Sequence, residues 1–399
     1  MIRGMNLKKR ICFVLDQFLY GGIERVAINY LQNINMKKYC VDVVILSNVE
    51  DMIQHIPKDC NIIKINIPRN HNPLSRASTM VRRPAGAILY YGTYLLKKFF
   101  ISPVDLFKTK ILRNKEYDVA IAFSGHLNDC YVVLNCIKAN KKIVWAHGMI
   151  YQYLLMSPAF EKMYSKFDKI VSINHLNQND IFYCKPYLNY KIENLYNPAM
   201  IEDTKLSEIE LNNLSQKYGD YILSVARLET PKDFLTLVKA FKILKDNNKT
   251  KCNLVIVGDG PDRSKIETYI KQNNLENNIF LVGSQDDVAK FYKTAKLFVL
   301  STESEGLGMV IIEAMNFGLP VIATDAPYGP RDIIRNNEFG VLTPVGDEKL
   351  LAQEINKLLE NEELYNYYKN QSLKRYLDFI PEKIMEQFYE IIGEDQNGK

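Results

Sequence analysis

Two carboxylates eight residues apart, Glu305 and Glu313, carry the first chemical signal of this chain. They stand in Ser301-Thr-Glu-Ser-Glu305-Gly-Leu-Gly-Met-Val-Ile-Ile-Glu313-Ala-Met-Asn-Phe-Gly318. The apolar run Leu297–Leu300 precedes them, and a helical pattern around Glu313 ends at Gly318. A loop at the carboxyl end of a strand that feeds a helix N-terminus is where open α/β sheets bind ligands. Free backbone N–H groups there favour anionic oxygen. Ionised carboxylates are acceptors and suit hydroxyl groups. A site with both features fits a ligand carrying phosphate and polyol, such as a nucleotide sugar. Gly306 and Gly308 allow close backbone approach. The bland alternative makes Glu305 a helix N-terminal charge and Glu313 a solvated residue. The neighbours Val310, Ile311, Ile312, Ala314 and Met315 oppose the second half of that alternative, because a carboxylate among them needs a partner.

Three more constellations follow strand-like runs. Ser224-Val-Ala-Arg227-Leu-Glu-Thr-Pro231-Lys232 places an Arg and a Lys in one short loop. Arg grips phosphate with a planar fork and Lys with a point charge; a solvated basic loop is the other reading. Val257-Gly258-Asp259-Gly260-Pro261-Asp262-Arg263 resembles a dinucleotide fingerprint but lacks its third glycine. Gly258 and Gly260 then mark a tight turn, either beside a nucleotide base or purely structural. In the front half, Gly21-Gly22 follows the first strand and His147-Gly148 follows Val144-Trp145-Ala146. Gly22 could offer its N–H to a phosphate. A lone His is as readily structural as functional.

The elements that must carry these residues form two series. Strand-like runs at Ile11–Leu15, Val41–Leu46, Asn61–Ile67, Val119–Phe123, Ile143–Trp145 and Lys169–Ile173 alternate with helical stretches. After Tyr196-Asn197-Pro198 and a polar helical segment over Ile201–Tyr218, a second series begins. Its runs are Tyr221–Val225, Asn253–Val257, Asn278–Val282, Leu297–Leu300, Val321–Ala323 and Gly340–Leu342. Such alternation indicates βαβ units and parallel sheets. The expected organisation is α/β with two Rossmann-like doubly wound domains, 1–198 and 199–375, facing across a cleft. A terminal helix over 376–399 packs back on the first domain.

The 399 residues exceed one ordinary core, and 47% hydrophobic with 24% charged content excludes a disordered or fibrous chain. The seven cysteines form no Cys-x-x-Cys pair, a pattern of reduced thiols in a cytoplasmic protein. With five scattered histidines, no metal site is expected. No signal peptide or apolar run of membrane-spanning length is visible. Residues 1–150 hold 22 Lys+Arg against 10 Asp+Glu, whereas the remainder is net acidic. Within that front half, residues 69–115 carry 10 Lys+Arg and a single acid, Asp105, among Tyr90, Tyr91, Tyr94, Phe99, Phe100 and Phe107. This segment either forms a solvated helical face or lies on an anionic bilayer. No nucleic-acid-binding motif accompanies the charge. The expected location is cytoplasmic, peripheral on the inner face of the membrane.

The ordered set Ala226-Arg227-Leu228…Lys232, Gly258-Asp259-Gly260-Pro261, Glu305-Gly-x-Gly-x5-Glu313-Ala and Gly318-x-Pro-Val-Ile resembles the retaining GT-B glycosyltransferases of family 4, the glycosyl transferases group 1. Gly21-Gly22-x-Glu24-Arg25 and His147-Gly148 match weaker signatures of the front half. The resemblance implies a nucleotide-sugar donor, most often a UDP-sugar, bound by the domain 199–375, and a saccharide or lipid-linked saccharide acceptor of bacterial surface-polysaccharide synthesis, bound by the domain 1–198. It implies retention of anomeric configuration and no bound metal or other cofactor. It gives Glu313 to the ribose hydroxyls, Glu305 to the donor sugar, Arg227 and Lys232 to the diphosphate, Gly22 to a phosphate oxygen and His147 to the transferring sugar. Leu307 and Met309 join Gly306, Gly308, Gly258 and Gly260 in the donor-binding set. Glu305, His147, Arg227 and Lys232 form the catalytic set. One departure is Ala326-Pro-Tyr328-Gly329-Pro330-Arg331-Asp332, where the family often has Gly-Gly-x-x-Glu: Asp332 stands for the Glu, and Arg331 adds a cation. The alternatives are a nucleotide-sugar 2-epimerase on the same scaffold and a non-catalytic sugar-nucleotide-binding protein.

Overall fold

The structure, a computed structural model, describes residues 8–18, 21–47, 52–65, 110–156, 158–199 and 207–393. Most of the basic–aromatic segment 69–115 therefore lies outside the described residues. The chain divides into two compact units, Met1–Pro198 with Met385–Lys399, and Ala199–Ile384.

In the first unit β1 (Lys9–Leu15), β2 (Tyr39–Ile45), β3 (Asn61–Lys64), β4 (Glu116–Ala122), β5 (Lys138–Ala146), β6 (Lys169–Ser172) and β7 (Ile192–Asn194) form one sheet of order β3-β2-β1-β4-β5-β6-β7. Every neighbouring pair is parallel. Ile11 through Leu15 are fully buried, as expected for a central strand covered on both faces. The chain runs outward from β1 to β3 and returns beside β1 with β4. The topological switch point thus lies between the carboxyl ends of β1 and β4.

The last helix, Pro381–Ile392, belongs to both units by residue count. The return to the first unit begins at Met385, within this helix, later than the expected 376. Ile384, Phe388 and Ile392, four residues apart, are buried. Phe388 enters a ring cluster with Tyr30 (5.4 Å), Trp145 (6.2 Å) and Phe13 (6.3 Å). Lys141 Nζ donates to Ile391 O at 2.6 Å and Lys9 Nζ to Gly393 O at 3.1 Å. Two cations so meet the carbonyls at the helix end, where the dipole favours them.

In the second unit β8 (Tyr221–Val225), β9 (Asn253–Val257), β10 (Ile279–Leu281), β11 (Leu297–Leu300), β12 (Val321–Thr324) and β13 (Val341–Thr343) give the parallel order β10-β9-β8-β11-β12-β13. Its switch point lies between β8 and β11. The helix Phe234–Asp246 buries Phe234, Leu237, Val238, Phe241 and Leu244, a 3.6-residue stripe against this sheet. Arg375 is fully buried. It donates to Ile333 O (2.9 Å), Asp332 O (3.0 Å) and Asp378 Oδ2 (2.6 Å), and lies over the Phe379 ring at 4.8 Å. Those bonds take up carbonyls at the end of the short helix Gly329–Ile334 and compensate the buried charge. Among the described residues no helix is long and apolar enough to cross a membrane.

Candidate functional site

In the second unit the loops after β8 and β11 meet across the switch point. The loop after β8 rests on the turn after β9. Ala226 N donates to Val257 O (3.2 Å), Leu228 N to Asp259 O (3.0 Å) and Asp262 N to Leu228 O (2.9 Å). A Cβ on Gly258 would stand 2.0 Å from Ala226 O, and one on Gly260 2.3 Å from Leu228 O. Both glycines are therefore required by a close backbone crossing that sets the course of the Arg227 loop. Beyond it, Asp233 adopts a left-handed backbone (φ 41°) and caps the following helix, accepting from Thr236 N at 3.3 Å.

The loop after β11 holds this segment by its carbonyls. Ser301 Oγ donates to Asp233 O (2.9 Å) and Lys232 O (3.2 Å), and Thr302 Oγ1 to Pro231 O (2.7 Å). Glu303 N also donates to Pro231 O, at 2.8 Å. The stitched loops bring Lys232 and Glu305 into an ion pair, Nζ to Oε2, with side chains 17% and 19% exposed. Glu305 O accepts from Gly329 N at 3.3 Å, and a Cβ on Gly329 would stand 2.4 Å from Leu307 O. The preceding Tyr328 has φ 73°, a conformation costly for a residue with a side chain. The segment that departs from the family pattern is thus packed directly on the Glu305 loop.

Gly308 (φ 89°) caps the helix Met309–Asn316, whose first turn offers backbone N–H groups beside Glu305. Gly306 and Met309 are half-buried and Leu307 is buried. Glu313, half-buried on this helix, finds a partner within the protein: Tyr292 Oη donates to its Oε2 at 2.9 Å. Arg227 is 70% exposed, with the Glu229 carboxylate 3.5 Å away. Arg331 does not add a spare cation. It forms a two-pronged pair with Asp325, both bonds 2.8 Å.

In the first unit Gly22 is exposed as the first residue of the helix Gly22–Asn33. His147 is half-buried just beyond β5, its ring 5.0 Å from that of Phe123. Its Nε2 lies 2.7 Å from Phe123 O. A carbonyl only accepts, so the proton is assigned to Nε2 and the lone pair to Nδ1. Burial depresses its pKa to about 4; the Phe123 bond opposes this and His126 adds to it. His147 is therefore a neutral hydrogen-bonding group at pH 7.

The structure brings Lys232, Glu305, Gly306, Leu307, Gly308 and Met309 together around one switch point. Gly258 and Gly260 lie beneath the Arg227 loop. Several participants have no counterpart in the sequence reading. Ser301 and Thr302 are the hydroxyl clamps of the Lys232 segment, and Tyr292 supports Glu313. Asp16, Ser124, His126, Asn128 and Asp129 gather at the switch point of the first unit. Their signal is polar side chains directly after an apolar strand, seen in Leu15-Asp16 and in Phe123-Ser124-Gly125-His126.

Comparisons with known proteins find glycosyltransferases. The profile of the family "Glycosyl transferases group 1" matches residues 208–375. An uncharacterized glycosyltransferase of Haemophilus influenzae is 24% identical over 394 residues, 97% of this chain and all of that protein. The N-acetylgalactosamine-N,N'-diacetylbacillosaminyl-diphospho-undecaprenol 4-alpha-N-acetylgalactosaminyltransferase of Campylobacter jejuni is 25% identical, covering 93% of this chain and 96% of its own. Among solved structures, Anabaena HepE in complex with UDP and glucose superposes with a TM-score of 0.73 at 18% identity, over 96% of this chain and 98% of that one. The last similarity is one of fold.

Proposed function

Residues 208–375 match the glycosyl transferases group 1, and on that premise we propose that the chain is a retaining enzyme moving a sugar from a UDP-sugar to a hydroxyl of a lipid-linked saccharide. The observation that carries the reading is the Lys232–Glu305 pair at the switch point of the second unit, beside the N-terminus of the helix Met309–Asn316. Ligands of open α/β sheets bind at such a point. The diphosphate takes the Lys232 ammonium, the exposed Arg227 guanidinium and the helix N–H groups. Glu305, released from Lys232, accepts from hydroxyls of the donor sugar. Glu313, steadied by Tyr292, accepts from the ribose diol. In the first unit Gly22 offers its N–H to a phosphate oxygen, and His147 Nδ1 accepts from a sugar hydroxyl.

Cleavage of the sugar–phosphate bond leaves oxocarbenium character on the sugar and added negative charge on the diphosphate. Cations fixed where that charge grows lower the barrier without reorganising. In this reading Lys232 and Arg227 provide that stabilisation, and the leaving phosphate takes the proton of the attacking acceptor hydroxyl on the same face. The Campylobacter relative is named for a diphospho-undecaprenol-linked acceptor and the Anabaena structure for UDP, which supports the choice of both substrates.

The test is release of UDP from UDP-sugars with and without undecaprenyl-diphosphate-linked saccharides. Expected are acceptor-dependent turnover, an α-linked product by anomeric proton coupling, and a rate about 100- to 1000-fold lower in Lys232→Ala. An inverted linkage, or near-normal turnover in that variant, refutes the reading.

A further inference from the structure

The Glu305 loop has a second hold, for which the function above has no use. Lys232 pairs with its carboxylate, but its backbone is fixed from the turn 326–329, which joins β12 to the helix Gly329–Ile334. Glu305 and Tyr328 form a parallel bridge, and Gly329 N donates to Glu305 O at 3.3 Å. A Cβ on Gly329 would stand 2.4 Å from Leu307 O, so the two segments touch backbone to backbone. The turn itself is anchored. Asp325 N donates to Thr343 O (2.6 Å), Ala326 N to Thr324 O (2.7 Å) and Asp332 N to Tyr328 O (2.8 Å). Thr324 Oγ1 donates to Thr302 O, in the loop that leads to Glu305. Pro327 and Pro330 bracket Tyr328-Gly329 and fix the backbone at two further positions.

Within this turn Tyr328 has φ 73° and ψ −94°. Asp233 (φ 41°, ψ 50°) and Arg335 (φ 51°, ψ 72°), also at positive φ, lie in the left-handed helical region. Tyr328 lies outside that region, near the γ-turn of positive φ, which is rare and strained. Glycine enters such a conformation freely, whereas a residue with a side chain enters it at a cost. A glycine at 328 would make the same bend, yet the chain keeps a Tyr. Its side chain is half-buried, so it fills space at the turn instead of standing in solvent. Strain of this kind persists where the surroundings over-determine it, and it gathers at sites that must be held in place.

We propose that Tyr328 is the positioning residue of the Glu305 loop and through it sets which donor sugar is accepted. The assignment rests on the glycosyltransferase reading given above, in which a diphosphate takes Lys232 and frees the Glu305 carboxylate. The ion pair is then gone, while the hold through Tyr328 and Gly329 remains. Epimeric sugars differ in the direction of one hydroxyl, so discrimination between them depends on where the Glu305 oxygens stand. A site built to hydrogen-bond a hydroxyl rejects a ligand without it far more strongly than an apolar pocket can. A misplacement of about 1 Å, caused away from the chemistry, costs about 100-fold in rate.

The experiment compares wild type with Tyr328→Gly, Tyr328→Asn and Tyr328→Phe. Gly and Asn tolerate positive φ and remove the ring, whereas Phe keeps it. Each protein is assayed with UDP-glucose, UDP-galactose and their N-acetylhexosamine counterparts, with undecaprenyl-diphosphate N-acetylhexosamine as acceptor. The Kd for UDP alone is measured by calorimetry. Expected in the Gly and Asn variants is a kcat/KM for the preferred donor lower by about tenfold or more. The ratio between the best donor and its epimer moves towards one, and the Kd for UDP, which carries no sugar, stays at the wild-type value. The Phe variant keeps the wild-type donor ratio. Unchanged donor ratios in both the Gly and Asn variants overturn the positioning role while leaving the glycosyltransferase reading intact. UDP affinity that falls in step with turnover also overturns it, since that shows general damage. So does a Phe variant as impaired as the Gly variant, because the phenol hydroxyl would then act in its own right. Absence of transfer by the wild type from any UDP-sugar refutes the underlying reading and the assignment with it.

Discussion

Glu305→Gln gives the sharpest test of the second unit, because it separates binding from turnover. In the structure the Lys232 ammonium is occupied by Glu305, so a diphosphate must displace that carboxylate. The isosteric amide keeps the size of the side chain and the backbone bond from Gly329, and removes the competing charge. Two unit charges about 4 Å apart interact by roughly 4 kcal/mol at an effective dielectric near 20. Exposed pairs yield about 0.2–1 kcal/mol in mutant cycles. With both side chains less than one-fifth exposed, this pair falls between those bounds. About 1.4 kcal/mol, a tenfold tighter Kd for UDP, is the expected gain. Turnover moves the opposite way, since the amide is a weaker acceptor for donor hydroxyls than the carboxylate. Calorimetric titration of UDP into both proteins at low salt reads the first effect, and single-turnover sugar transfer reads the second. The difference in affinity should shrink with added salt. UDP affinity equal to or weaker than wild type would show that Glu305 does not compete for Lys232, and would remove the mechanism built on it.

Asp129→Asn should stabilise the protein at pH 8 and not at pH 4. Burial raises the Asp129 pKa to about 7, so its stabilising neutral form is fully present below about pH 4 and lost as pH rises through 7. The gain at pH 8 is on the order of 2 kcal/mol, and melting curves across this range check it. His147, with its pKa lowered to about 4, works in the opposite sense: its contribution is present above about pH 6.5 and is lost as pH falls towards 4. Gly258→Ala should destabilise the second unit by about 2 kcal/mol through overpacking, and weaken UDP binding by displacing the Arg227 loop. An unchanged melting temperature would contradict the backbone crossing. Arg375→Met should cost about 3 kcal/mol, read by denaturant titration, since Ile333 O and Asp332 O lose their donor.

Much of the fold was legible because its strands are buried on both faces. Such strands read as unbroken apolar runs, as in Ile11–Leu15 and Leu297–Leu300. The strand β7, Ile192–Asn194, was not legible: it has three residues at a sheet edge, two of them polar. For the candidate site, Glu305, Lys232 and the glycines were marked by their place after such runs. Their pairing was not, because 73 residues separate Lys232 from Glu305 and only the sheet order makes their loops neighbours. The partner of Glu313 was hidden likewise. Its apolar neighbours show that a carboxylate there needs a bond, yet they do not show that Tyr292, on another helix, supplies it. The same ambiguity left Gly258 and Gly260 open between base contact and structural turn. The close backbone approach to Ala226 O and Leu228 O supplies the structural reason for both.

The tail helix has a consequence for biosynthesis. The ring cluster of Phe13, Tyr30 and Trp145 closes only when Phe388 arrives, and Phe388 follows the whole of the second unit in the chain. Chains fold from the amino end as they leave the ribosome. The first unit is therefore begun before the second and completed after it: it waits, aromatic surface uncovered, while the second unit is made and folds. A ribosome stalled or a gene truncated between Ala199 and Ile384 releases a half-closed first unit, a ready substrate for chaperones and proteases.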